Sequence, residues 1–258
     1  MAPQQTSPMV DHTRRHERVT RADQKGARRT VRLGEILLPR KTSPDTPLVI
    51  HFHGTPWVAE QEVRRGWPHA AVLAVQVGSG SRVYGESVKD PAVFQEILDQ
   101  HWRRIVLSGW SAGYGAIRQI LREPAFAKRV DAVLLLDGIH ADRDTMQADI
   151  GPFLDYARRA AKGECRMLIT HSEVFPGTYA STTEASDWLL EQLGLHRKPV
   201  LKWGPLGMQQ LSDVKSSRFR MMGFAGNSAP DHVDHVQAMA RWLHEVRKAT
   251  IWGIWGRL

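Results

Sequence analysis

The chain has 258 residues and a formal net charge of +8, a length that suits one sizeable domain. Hydrophobic residues make up 42% and charged residues 24%, a balance that excludes a disordered chain, and no apolar run is long enough for a transmembrane helix. A single cysteine, Cys165, excludes an internal disulfide framework and a cysteine-based metal cluster.

The positive charge is concentrated at the start. Residues 1–40 hold nine Lys and Arg against four acids, so most of the excess lies in a basic leader and little is spread over the remaining chain. That distribution argues for a solvated tail and against nucleic-acid binding. Residues 1–30 are therefore expected to form a basic, flexible leader and residues 31–258 the folded domain. The leader lacks the apolar stretch of a signal peptide, which reads as cytoplasmic unless such a segment has been removed.

Beyond the leader, short apolar runs alternate with amphipathic stretches. Strands are predicted over 31–38, 48–53, 71–77, 104–108, 130–137, 166–171 and 219–224. Helices are predicted over 91–102, 112–122, 145–162, 182–193 and 233–248. Apolar strands separated by helices imply βαβ units and a mostly parallel sheet covered on both faces. Ligands bind such sheets beyond the carboxyl ends of the strands, so those ends are where chemistry is sought.

One such end reads Gly109-Trp110-Ser111-Ala112-Gly113. An apolar strand leads into this G-x-S-x-G sequence and an amphipathic helix leads out. A serine held at the tip of a strand needs a strained turn, with glycines two residues before and after to remove clashing Cβ atoms. Gly115 would let the helix pack close to the strand. The serine would also sit at a helix amino end, where free N–H groups can stabilise an oxyanion.

With these features the sequence resembles the α/β-hydrolase fold family, with Ser111 in its nucleophile elbow. The resemblance runs from about residue 31 to about residue 248. It implies a single α/β domain with a mostly parallel central sheet and helices on both faces, and the short connection between Asp137 and the next strand implies a minimal lid. By the same resemblance, the His53-Gly54-Thr55 sequence supplies the oxyanion loop, so the hole would use the backbone N–H groups of Thr55 and Ala112. The family orders its triad as serine, acid, histidine. His232 is favoured over His235 as base, and Asp137 over Glu173, Asp142 or Asp231 as acid.

The short connection after Asp137 implies an open cleft, for which Trp57, Trp110, Phe175, Tyr179 and Trp203 are candidate lining residues, Trp57 and Trp110 first among them. The expected activity is hydrolysis of a small or polymeric carboxylic ester by a serine esterase, without cofactor or metal. The same triad would also serve an amidase or peptidase. Two rival readings are a zinc hydrolase using His51, His53, His232 and His235, and a non-catalytic binding member of the fold. The apolar tail 251–255 could dock on the domain or on a second subunit.

Overall fold

The computed structural model describes residues 18–100 and 102–247; the tail 251–255 and the first seventeen residues of the leader lie outside the described residues. A ten-stranded sheet has the order β1-β2-β4-β3-β5-β6-β7-β10-β9-β8. Its strands are β1 Arg28–Val31, β2 Gly34–Leu37, β3 Leu48–Phe52, β4 Ala71–Val75, β5 Ile105–Trp110, β6 Ala132–Leu136, β7 Arg166–His171, β8 Lys198–Trp203, β9 Gln209–Ser216 and β10 Phe219–Phe224. Strands β4, β3, β5, β6, β7 and β10 pair in parallel, and antiparallel strands flank them on both sides.

Helices cover both faces. They are α1 Pro56–Gly66, α2 Ser81–Ser87, α3 Pro91–Leu98, α4 Tyr114–Leu121, α5 Pro124–Arg129, α6 Met146–Ala161, α7 Thr182–Leu193, α8 Ala229–Gln237 and α9 Met239–Arg247. Alternate residues of the central strands point to opposite sides. Ile50, Phe52, Leu107 and Leu135 pack with α2 to α7 residues such as Tyr84, Phe94, Ile117 and Phe153. Val49, Val106, Leu134 and Leu168 pack instead with Val63 of α1 and Met239, Trp242 and Val246 of α9. Two buried faces explain why these strands read as continuous apolar runs. Among the described residues, no helix is long and apolar enough to cross a membrane.

Several elements differ from their sequence expectation. The first strand is a hairpin, β1–β2, because Gly34 has φ +134° and turns the chain back. The closing helix is two helices, with a break at Ala238, and the first starts near the Ser228 cap rather than at residue 233. The part of the leader from residue 18 onward lies against the domain. Ala22 N–H donates to Gln61 Oε1 at 2.7 Å, Arg18 N–H donates to Gln237 Oε1 at 2.7 Å, and Arg28 makes a forked pair with Glu60 at 2.7 and 2.9 Å.

Close backbone approach fixes the turn after β5. A Cβ on Gly113 would overlap the carbonyl oxygen of Phe52 in β3, and one on Gly109 would sit 3.1 Å from the Gly113 carbonyl carbon. The two flanking glycines are therefore needed for the reason their spacing suggested. Gly115 works differently from its expectation. Its missing side chain makes room for the backbone of Ser81 at the start of α2, not for the strand.

Candidate active site

Three neighbouring strands end in a non-glycine residue with left-handed backbone: His53 after β3 (φ 70°), Ser111 after β5 (φ 47°) and Asp137 after β6 (φ 44°). Each such residue costs on the order of 1–2 kcal/mol, so three at adjacent strand ends mark a place where the fold holds side chains against strain. Gly138 lets the chain after Asp137 run along the Ser111 backbone, where a Cβ would meet Ser111 N at 2.7 Å. Ser111 is half-buried and opens into a cleft of about 640 Å³.

Asp137 and His232 are brought together. The imidazole Nδ1 lies 2.7 Å from Asp137 Oδ2. The same oxygen accepts from Ser172 Oγ at 2.5 Å, while Oδ1 accepts from Ser172 N–H at 2.8 Å and Thr182 Oγ1 at 2.9 Å. Burial alone would raise the carboxyl pKa. The nearby His235 and the hydrogen bonds from His232 and Ser172 outweigh it and hold the group well below the usual carboxylate range. A buried carboxylate with four donors is an ionised one. Its charge is oriented at His232 Nδ1, which sets Nε2 as the free acceptor of that ring.

His232 lies in the first turn of α8 and is clamped from the serine side. Trp110, the residue before Ser111, donates its indole N–H to the His232 carbonyl at 2.9 Å and packs its ring 4.7 Å from the imidazole. The indole also stacks on His53, with ring centroids 5.2 Å apart. His53 Nδ1 is 2.9 Å from Tyr84 Oη. Trp110 packs against His232 and His53, and neither it nor Trp57 is among the cleft residues.

The remaining candidates have other work. His235 is fully buried in α8, its Nδ1 2.7 Å from Thr170 Oγ1. Glu173 is exposed on the loop after β7, and Asp142 is exposed at the cleft rim. Asp231 is buried and accepts from the N–H and Oγ of Ser228 at 3.0 and 2.6 Å, holding the start of α8. His51 Nδ1 is 3.0 Å from Ser108 Oγ, so His51 and His53 face different partners. Among the described residues, no group of three or more His, Cys, Asp and Glu is placed to hold a metal ion.

Ala112 lines the cleft beside Ser111. Thr55 is the exposed residue before α1. The preceding Gly54 N–H donates to Gln76 Oε1 at 3.0 Å and is thereby engaged. Of the expected aromatic wall only Tyr179 lines the cleft; Phe175 is exposed beneath Arg143, and Trp203 is 75% exposed on β8. The cleft is polar. Arg118 pairs with Asp149 at 2.5 Å, Lys89 with Glu86 at 3.3 Å, and Arg82 and Arg122 are exposed on its walls. Ser172, Thr182 and Tyr84 were not read from the sequence, and His53, read there as part of the oxyanion loop or a zinc ligand, here packs against Trp110 and Tyr84. For Ser172 a signal existed, its place at the carboxyl end of β7.

The buried imidazoles set a pH dependence of stability. Burial pushes His51 and His171 down to about 4 each. The unfolded chain binds protons at these sites near pH 6.5, where the folded chain does not, so stability is complete above about 6.5 and falls as pH drops toward 4. Thermal melts should show Tm falling across that window; an unchanged Tm from pH 7 to 4.5 would contradict these burials.

No family model matches the sequence, and no curated protein matches it. Solved structures do. The BES protein from Bacillus cereus is similar at 11% identity and a TM-score of 0.50, covering 91% of this chain and 98% of that one. A thermophilic esterase from Thermogutta terrifontis is similar at 12% identity and a TM-score of 0.42, covering 86% and 99%. A haloalkane dehalogenase from Bradyrhizobium elkanii is similar at 11% and 0.46, covering 86% and 97%. Sheet order, the strand-end turns and the likeness to the Bacillus cereus protein lead to one conclusion: the chain has the α/β-hydrolase fold.

Proposed function

We propose that the protein is a serine hydrolase that cleaves carboxylic esters through an acyl-enzyme. Ser111 Oγ attacks the ester carbonyl while His232 Nε2 takes its proton, and Asp137 fixes the tautomer and stabilises the imidazolium. The tetrahedral oxyanion is held by the N–H groups of Ala112 and Thr55. The imidazolium returns its proton to the leaving alkoxide. A water molecule, deprotonated by the same ring, then attacks the acyl carbon and frees Ser111.

The observation that carries this reading is the 2.7 Å Asp137–His232 pair, with His232 clamped by the residue next to a left-handed Ser111. An amide or peptide would use the same groups, and leaving-group protonation decides between them. Ester is favoured because an alkoxide leaves readily, whereas an amide nitrogen must be protonated as it leaves, which asks more of the histidine.

The histidine assignment has a direct test. His232→Ala should lower kcat on 4-nitrophenyl acetate by about 10³-fold or more with little change in Tm. His235→Ala should do the reverse, lowering Tm through the buried space and lost Thr170 bond while activity falls far less. Equal, mild losses in both variants would show that the base lies elsewhere.

A further inference from the structure

The cleft holds one imidazole that the proton relay does not use. His140 stands three residues beyond Asp137, on the loop after β6, and lines the cleft together with Ser111 and Ala112. Its Nδ1 is 3.1 Å from the carbonyl oxygen of Ala180. A carbonyl oxygen can only accept, so Nδ1 carries the proton and Nε2 keeps a lone pair. The backbone that sets this tautomer is itself fixed, because Ala141 and Ala180 form an antiparallel bridge with Ala180 N–H donating to Ala141 O at 2.9 Å.

Two tyrosines hold the ring in place. Tyr114 lies 5.6 Å away and Tyr179 meets it edge-on at 5.2 Å. Burial pushes the imidazole down to about 4, although the Ala180 bond and the Asp137 charge pull the other way, so it is neutral near pH 7. The cleft around it offers charged and hydroxyl groups, among them Arg82, Arg118, Glu86, Asp149 and Ser81. A long hydrocarbon chain would take these groups out of water without replacing their hydrogen bonds. A neutral acceptor in the same cleft as the nucleophile calls for a donor on the substrate.

We infer that His140 Nε2 accepts a hydrogen bond from a hydroxyl or N–H group of the substrate, so that the preferred esters are hydrophilic ones carrying such a donor close to the scissile bond. The inference rests on the serine-hydrolase reading and deepens it by naming a substrate class. His140 is a specificity residue in this account, not a member of the proton relay.

The test uses two substrate pairs that differ by one hydroxyl: 4-nitrophenyl glycolate against 4-nitrophenyl acetate, with the donor on the acyl side, and 2-hydroxyethyl butyrate against ethyl butyrate, with the donor on the alcohol side. In at least one pair the wild type should favour the hydroxylated ester by about 10-fold in kcat/KM. His140→Phe should bring that ratio close to one, and His140→Gln, whose amide oxygen can reach the same place, should restore part of it. A wild-type ratio near one in both pairs would overturn the inference. So would a ratio that His140→Phe leaves intact, or an equal loss on every ester, which would make the ring a packing element. Labelling of Ser111 by a fluorophosphonate in all three proteins reads the nucleophile separately. Hydrolysis without labelling at Ser111 would overturn the serine reading, and the inference with it.

Discussion

Ser111→Ala should lower hydrolysis of 4-nitrophenyl acetate by about 10³-fold or more in kcat while leaving Tm and the circular dichroism spectrum close to wild type. Only one oxygen is removed, and it lies in the cleft rather than in the core. The strain at Ser111 is a backbone property, so alanine in the same left-handed turn keeps it. Some rate above the uncatalysed reaction should persist, because the oxyanion donors and the cleft survive the substitution. A variant retaining more than about a tenth of the activity would remove Ser111 from the mechanism.

Asp137 carries the second large effect, and two substitutions separate its two roles. In Asp137→Asn the amide oxygen can still face Ser172 N–H and Thr182 Oγ1, while the new N–H₂ faces Ser172 Oγ and His232 Nδ1. Hydroxyls can turn to accept, but the imidazole must move its proton to Nε2, which then cannot take one from Ser111. The expected loss is about 10³–10⁴-fold in kcat with a modest change in stability. Asp137→Ala leaves the buried donors without an acceptor and should cost about 3–5 kcal/mol in denaturant unfolding, with a similar loss of activity. The carboxyl is depressed in the folded state, so its contribution is present above the unfolded value near 4 and is lost only as pH falls below that, through the folded value. If Asp137→Asn kept its activity within 10-fold, the acid would have to be sought elsewhere.

The parts of the fold legible in the sequence were those where burial and hydropathy agree. Strands β3, β5, β6 and β7 are sealed on both faces and read as apolar runs. The hairpin β8–β9 did not, for a physical reason. In β9 the inward positions Gln210 and Ser212 are polar and the outward Leu211 is not, the reverse of what burial favours. In β8, Leu201 and Trp203 are 76% and 75% exposed, and Lys198, Pro199 and Lys202 guard a free sheet edge. Helix α1 was hidden in the same way: it buries Glu60, Gln61 and Glu62, each held by a partner far away in the chain, namely Arg28, Thr20 and Ala22, and the N–H of Ala240.

At the site, the glycine spacing and strand-end positions pointed to Ser111 and Asp137, and the order of elements pointed to His232. Local sequence carried no sign of Trp110's place. A tryptophan beside a nucleophile suggests a substrate wall, whereas here the indole packs against both His53 and His232 and bonds across 122 residues. The charged side chains of the cleft were equally hidden, since Arg82, Arg118 and Asp149 reach it from three separate helices and Arg122 from just past the end of one of them.

Reaction with a fluorophosphonate, followed by peptide mapping, tests the central claim most directly, because the reagent phosphonylates only a serine whose proton is withdrawn by a neighbouring base. The account predicts one adduct, on the peptide carrying Ser111, formed far more slowly in His232→Ala. An adduct on another serine, or an active enzyme that takes up no label, would contradict it.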